Sequence, residues 1–250
     1  MSIMKKVVVI GGTGLIGSKA VKLLQDAGHE AVAASSRNGI NAYTGEGLEA
    51  ALTGADAVID VSNMMSFDKD VIADFFRTSS RNLTSAEQAA GVRHHVALSI
   101  VNADQLAANP YMAGKLAQEE AVASSGQAYT IVRATQFHEF IATLAGAYAA
   151  DGVVKVPDID FQPIAASDVA AALVEAALGQ PKNGTVDLAG PHRAPFETVI
   201  RAYLDAKGDG SPVTADAAVD YFGAPVAKGS LVPGGEYIKG RVTVAEWLKV

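Results

Sequence analysis

The sequence has no cysteine, no excess of positive charge and no long apolar run, and each absence removes a class of function. Without a thiol there is no disulfide, no thiolate nucleophile and no cysteine-ligated zinc, a composition suited to a reducing compartment. A formal net charge of −7 offers no basic face for nucleic-acid phosphates and no cationic patch for an anionic membrane. The first apolar run, Val7-Val8-Val9-Ile10 after Lys5-Lys6, stops after four residues at Gly11-Gly12, short of the roughly 7–15 residues of a secretory signal. The longest later stretch, 140–150, is well below the roughly 20 residues that cross a bilayer. These features lead us to expect a cytoplasmic protein whose partner is a small-molecule substrate, with no nucleic acid and no membrane. They leave the oligomeric state open.

What is present is a chain of 250 residues, 49% hydrophobic and 19% charged, enough for one large α/β domain or a domain with a small appendage. Strand-like runs (6–10, 31–35, 57–61, 96–100, 129–133, 186–188) alternate with amphipathic helical segments (15–27, 71–90, 110–124, 168–178). Gly28 and Gly91 close two of these helices, and Asn109-Pro110 opens a third. Such alternation predicts a parallel sheet with helices on both faces. The last sixty residues are punctuated by prolines and glycines instead. The expected division is therefore a nucleotide-binding domain over 1–190, with 135–163 contributing to the substrate side, and a small irregular substrate-side subdomain over 191–250.

Directly after the first strand, Gly11-Gly12-Thr13-Gly14-Leu15-Ile16-Gly17 leads into the first helix. A pyrophosphate needs backbone approach without a Cβ and N–H groups at a helix N-terminus, and this context supplies both. Gly11, Thr13, Gly14, Leu15, Ile16 and Gly17 are the candidate phosphate contacts, Gly17 also letting the helix lie close to the sheet. The end of the second strand, where an acid would bind a ribose 2′-hydroxyl, reads Ser35-Ser36-Arg37. Two hydroxyls and a guanidinium suit a 2′-phosphate, so NADP is expected in preference to NAD.

With these residues in hand, the chain resembles the short-chain dehydrogenase/reductases, in their atypical, NmrA-like branch. The glycine loop matches the extended and atypical members. Further matches are 55–60 (ADAVID), 91–99 (GVRHHVALS), 129–137 (YTIVRATQF), 162–170 (QPIAASDVA) and 189–191 (AGP), in family order. The resemblance implies a doubly wound Rossmann fold. It also implies cofactor contacts from Val61, Ser62 and Asn63 beside Met64, and from Thr135 and Phe137 in a nicotinamide-facing loop.

In that family a serine ends a central strand and Tyr-x-x-x-Lys follows about a dozen residues later; here these are Ser99, Tyr111 and Lys115. Positions i and i+4 share a helix face, so Lys115 is expected beside the Tyr111 hydroxyl, favouring tyrosinate and lowering its pKa toward neutrality. By resemblance Ser99 would bind the substrate carbonyl, Tyr111 would handle the proton, and Lys115 would also hold the nicotinamide ribose. One departure stands out. The asparagine completing the tetrad of extended members aligns near Phe76, with Asn82 six residues later.

Among other residues, His94 and His95 read as polar groups at a strand start, and His138 as the histidine nearest the nicotinamide. Asp168 reads as a helix cap or helix start. Met64, Met65 and Phe67 are candidates for an apolar substrate pocket and equally for core packing. His138-Glu139 lacks the i, i+4 histidine pair of a zinc helix, so no metal is expected. Three functions follow: an NAD(P)H-dependent reductase of a carbonyl or quinone-like molecule, a non-catalytic NAD(P) sensor, or an epimerase or dehydratase retaining NAD. The intact Ser99, Tyr111 and Lys115 favour the first over the second, and Arg37 favours exchanged NADPH over retained NAD.

Overall fold

Val7, Val8 and Val9 are each 0% exposed, as required of a strand covered on both faces. A computed structural model of the chain describes residues 4–64, 66 and 68–249. Its elements are β1 (Lys6–Ile10), α1 (Leu15–Asp26), β2 (Glu30–Ala34), α2 (Leu48–Leu52), β3 (Ala57–Asp60), α3 (Lys69–Ala90), β4 (His94–Ile100), α4 (Pro110–Ser124), β5 (Tyr129–Ala134) and α5 (Ile141–Ala147). They continue with β6 (Ala149–Ala150), β7 (Val153–Pro157), β8 (Asp160–Phe161), α6 (Ala166–Leu178), β9 (Gly184–Ala189) and β10 (Ala194–Pro195). The last are α7 (Phe196–Ala206), β11 (Val213–Asp216), β12 (Ile238–Lys239) and α8 (Val244–Trp247).

The central sheet has seven parallel strands in the order β12-β9-β5-β4-β3-β1-β2. Val7 and Val9 face α1 and α6, meeting Ala20, Leu24, Val169 and Leu173. Val8 and Ile10 face the opposite layer, meeting Leu48, Leu52 and Leu83 of α2 and α3. This is a doubly wound Rossmann fold. From β1 the chain moves outward to β2 and then returns to β3 on the other side, with Val8 paired to both Val32 and Val58. A crevice therefore opens between the carboxyl ends of β1 and β3, where ligands bind in such sheets.

Three local expectations shift. The second strand ends at Ala34 rather than Ser35, because Ser35 caps the 3₁₀ turn Ser36–Asn38 with the Asn38 side chain. The fourth strand starts at His94, two residues early, because both histidines find buried partners. Asp168 neither caps nor starts α6, whose N-cap is Ala165. It lies in the first turn, where its carboxylate accepts the backbone N–H groups of Arg241 (2.7 Å) and Val242 (2.9 Å). That anchor follows β12, which pairs with β9 and returns the C-terminal segment to the main sheet.

The C-terminal quarter packs on a second core, drawing on residues between 103 and 112, 141 and 161, and 196 and 231. Phe161 and Phe196 stack within it at 4.5 Å between ring centroids. No helix among the described residues is long and apolar enough to cross a membrane. Asn102 links the two cores: it follows β4 with φ of 56°, and its amide donates to the carbonyls of Val232 (2.8 Å) and Ser230 (3.3 Å).

Replacing Asn102 with alanine should cost about 1–3 kcal/mol, the penalty of unpairing buried carbonyls, with added strain from a Cβ-bearing residue at positive φ. For a chain of this size that is a melting shift of roughly 2–4 °C per kcal/mol. Asn102→Gly relieves the backbone and isolates the hydrogen bonds. An unchanged melting temperature in both variants would show that the 229–232 segment is held by other contacts.

Candidate dinucleotide and active site

The glycine loop folds against its neighbours before any ligand is considered. The N–H groups of Gly11 and Gly12 both donate to the Ala34 carbonyl (2.9 and 3.1 Å). A Cβ on Gly11, whose φ is +78°, would lie 2.7 Å from the Val61 carbonyl oxygen. One on Gly12 would lie 2.7 Å from the Ala33 Cα, and one on Gly17 would strike the Gly11 carbonyl. Gly17 thus admits the loop's own backbone beneath the helix, rather than bringing the helix to the sheet.

Gly14 is different. A Cβ there would meet only the Gly11 carbonyl oxygen, at 3.3 Å. Gly14 is the N-cap of α1, which has no side-chain cap and no acid in its first turn. Open space over uncapped N–H groups is what a pyrophosphate requires, so the loop fits a dinucleotide. Thr13 and Leu15 are exposed beside it, while the Ile16 side chain is buried in the first core, leaving its backbone to face a ligand.

The other expected contacts surround the same crevice. The Val61 N–H donates to the Ile10 carbonyl (3.0 Å), setting the segment after β3 against the glycine loop. The Ser62 hydroxyl is buried with no hydrogen-bond partner among the described residues, a group available to a ligand. Ser36 and Arg37 are exposed just beyond Ala34. Thr135 is 1% exposed and its hydroxyl donates to the Gln162 carbonyl (2.7 Å), so it does not face the crevice. Phe137 bridges to Ile164 and packs on the first core.

Ser99, Tyr111 and Lys115 each find a separate partner. The Tyr111 hydroxyl donates to Asn63 Oδ1 (2.9 Å), and its ring meets Phe76 edge-on. Burial pushes its pKa up to about 12, so the expected lowering by Lys115 does not occur. The reason is that the Lys115 ammonium is drawn elsewhere, donating to Gln118 Oε1 and lying 4.6 Å from the centroid of the Phe76 ring. Burial lowers the Lys115 pKa to about 8, against the opposing pull of Asp60 and Glu119. Ser99 is 2% exposed and donates to Glu119, which Arg133 clamps through two bonds of 2.9 and 2.6 Å. Its hydroxyl is bonded within the fold.

Phe76, near which the tetrad asparagine was expected, lies against the Tyr111 ring, and Asn82 donates to the Ala42 and Tyr43 carbonyls. Asn63 now holds the tyrosine. Sequence reasoning passed over Asp60, Gln118 and Glu119 as site residues. Their signals were one acid ending an otherwise apolar strand and two polar residues at i+7 and i+8 from Tyr111, on its helix face.

The histidines stand apart. His94 bonds Thr130 (2.9 Å) and is held to about 4 by burial, and fully buried His95 bonds Glu87 (2.8 Å). Both open β4, as expected, and are buried core groups at the strand end remote from the crevice. His138 is 0% exposed, pinned between the Pro163 carbonyl (2.9 Å) and the Trp247 ring, which removes it from nicotinamide chemistry. Met64 lines a groove with Tyr43, Val71 and Phe75; Met65 and Phe67 lie outside the described residues.

The glycines make a paired prediction. Gly17→Ala should lower the melting temperature, because its Cβ strikes backbone that cannot yield. Gly14→Val should spare the fold and abolish dinucleotide binding by filling the open space over α1. Calorimetric titration beside thermal melting reads both; parental affinity in Gly14→Val would misplace the phosphate site.

Comparison with known proteins agrees with this geometry. A family model described as NAD(P)H-binding matches residues 11–180. The photosystem II assembly factor Ycf39 of Synechocystis sp. is 31% identical over 173 residues, covering 64% of this chain and 50% of that protein. A (4-alkanoyl-5-oxo-2,5-dihydrofuran-3-yl)methyl phosphate reductase of Streptomyces griseus is 28% identical over 193 residues, covering 71% of this chain and 65% of that one. The chain thus spans about half to two thirds of these relatives' lengths. Among solved structures, the NADPH-dependent quinone oxidoreductase QOR2 of Escherichia coli shares the fold, with a TM-score of 0.68 at 18% identity over 97% of this chain and 98% of that one. A strand–glycine–helix loop shaped for a pyrophosphate, on a doubly wound parallel sheet and within the matched span, places the chain in the NAD(P)H-binding family.

Proposed function

We propose that the protein is an NAD(P)H-dependent oxidoreductase that reduces a small quinone-like or other carbonyl acceptor, with NADPH the preferred donor. The observation that carries this reading is the separation of Ser99, Tyr111 and Lys115 onto three different partners, beside a glycine loop with open space at Gly14 over the uncapped start of α1. The bound nicotinamide supplies the hydride. The uncapped end of α1 receives the pyrophosphate, while Ser35, Ser36 and Arg37 suit a 2′-phosphate.

At the acceptor end, Tyr111 is protonated at neutral pH, and burial, which pushes its pKa up to about 12, makes it a weaker acid than a free tyrosine. It is a weak acid able to donate one hydrogen bond, with Asn63 holding the hydroxyl and Ser99 bonded to Glu119 instead. Hydride transfer to a simple ketone builds a strongly basic alkoxide and needs a proton donor placed at that oxygen. A quinone leaves a phenolate-like oxygen that water can protonate. A site with one weak acid therefore suits quinone-like acceptors best. The shared fold of an NADPH-dependent quinone oxidoreductase supports this reading. A cytoplasmic site of action belongs to the same proposal.

The burial of Ser99 against Glu119 also favours a second reading, a non-catalytic NAD(P) sensor acting on a partner protein.

NADPH oxidation followed by absorbance against quinones, aldehydes and ketones decides between the two. Tyr111→Phe should leave NADPH affinity intact and slow aldehyde or ketone reduction by about 10²-fold or more, with much less effect on quinones. Tight NADPH binding without turnover of any acceptor would select the sensor. For the cofactor, Arg37→Ala should weaken NADPH binding about tenfold and leave NADH unchanged. Equal parental affinity for both dinucleotides would overturn the NADP preference.

A further inference from the structure

The buried polar groups of α4 and β3 form a ring. Lys115 donates to Gln118 Oε1, and Gln118 Nε2 donates to Asp60 Oδ2 (2.8 Å). Asp60 Oδ1 accepts the Ser62 N–H (2.9 Å), and the next residue, Asn63, accepts the hydroxyl of Tyr111, one helical turn before Lys115. Asp60 and Gln118 are each 1% exposed and Lys115 is 3% exposed. A buried carboxylate and a buried ammonium are normally placed in direct contact, which offsets their loss of hydration. Here a neutral amide stands between them.

The surrounding charges assign roles to the members. Lys115 faces Asp60 from β3, Glu119 from its own helix and the Phe76 ring from α3. Glu119 is already paired with Arg133 of β5. Asp60 is felt in turn by the Glu87–His95 pair of α3 and β4, whose own hydrogen bond is internal to that pair. Asp60 is thus the anion that answers the lysine, through Gln118. Gln118 is also the only hydrogen-bond acceptor of the Lys115 ammonium among the described residues, so two of its three donors are left for a ligand.

We infer that Asp60 and Gln118 are positioning residues for the dinucleotide: their carboxylate–amide relay keeps Lys115 charged and aimed, and the same carboxylate fixes the 61–63 segment against the glycine loop. The inference rests on the reading that Lys115 and this segment touch NAD(P)H. Two consequences follow. With the Lys115 pKa lowered to about 8 by burial, the ammonium is lost in mildly alkaline solution, and affinity for the dinucleotide falls as pH rises through that value. Because the Asp60 charge favours the ammonium, removing that charge moves the loss to lower pH.

The test is NAD(P)H titration across pH, with thermal melting run in parallel. The parent protein should weaken about tenfold through pH of about 8, as a charged donor gives way to a neutral one. Asp60→Asn, close in shape, should move that midpoint down by about one pH unit, a change a purely structural role would not produce. Gln118→Met should weaken binding severalfold at neutral pH and lower the midpoint in the same direction. Lys115→Met should abolish the pH step. A folded Asp60→Asn with the parental midpoint overturns the positioning role. If that variant does not fold, parental affinity and midpoint in Gln118→Met overturn it instead. A Lys115→Met protein with the parental curve shows that Lys115 does not touch the cofactor, which removes the reading beneath the inference and the inference with it.

Discussion

The close approach of Gly11 to the Val61 carbonyl is the constraint on which the crevice depends. It requires a residue without a Cβ, at positive φ, at the carboxyl end of β1. Once that contact is made, the segment after β3 is fixed against the glycine loop, and the Gly11 and Gly12 N–H groups tie the end of β2 to the same point. Three strand ends thus meet around the start of α1. Gly12 and Gly17 exist to let this meeting happen. Gly14 alone remains unexplained by internal packing, and the NAD(P)H-binding family supplies the explanation.

Around that rigid point the polar chemistry is distributed in an unexpected way. One face of α4 carries Tyr111, Lys115, Gln118 and Glu119: Tyr111 reaches the segment after β3, Gln118 reaches β3, Glu119 reaches β4 and β5, and Lys115 bonds Gln118 on its own helix. Lys115, Gln118 and Asp60 form one buried network. Ser99 and Glu119 form another, carried outward to solvent by Arg133 and Asp104. Most polar groups of each network are paired within it, as low-dielectric burial demands, since an unpaired charge there costs far more than a paired one; the Lys115 ammonium, with one acceptor among the described residues, is the exception. Of the Ser99 and Tyr111 hydroxyls, only that of Tyr111 meets the segment after β3, and its acidity is lowered, not raised, by its surroundings.

The elements themselves were legible in the sequence because their signals are local. Three consecutive buried valines, glycines at the close of helices and Asn109 before Pro110 act within a few residues of where they stand. The asparagine side chain accepts the Tyr111 and Met112 N–H groups, a cap readable from its position alone. The glycine spacing after β1 likewise forecast a loop whose geometry answers the needs of a pyrophosphate.

Partnership was not legible. The i, i+4 spacing of Tyr111 and Lys115 does place them on one helix face, but it cannot say which neighbour each will choose. That choice was made by residues distant in the chain: Asn63 for the tyrosine, Gln118 backed by Asp60 for the lysine, and Glu119 with Arg133 for the serine. His138 and Asp168 show the same limit, one enclosed by Pro163 and Trp247, the other binding the backbone at 241–242. The sequence by itself determined the strands, the helices and the phosphate loop, since hydrophobic period and glycine stereochemistry are local properties. Only the tertiary structure decided the charge state and the orientation of the polar side chains, because burial and opposing charge are properties of what the fold brings together.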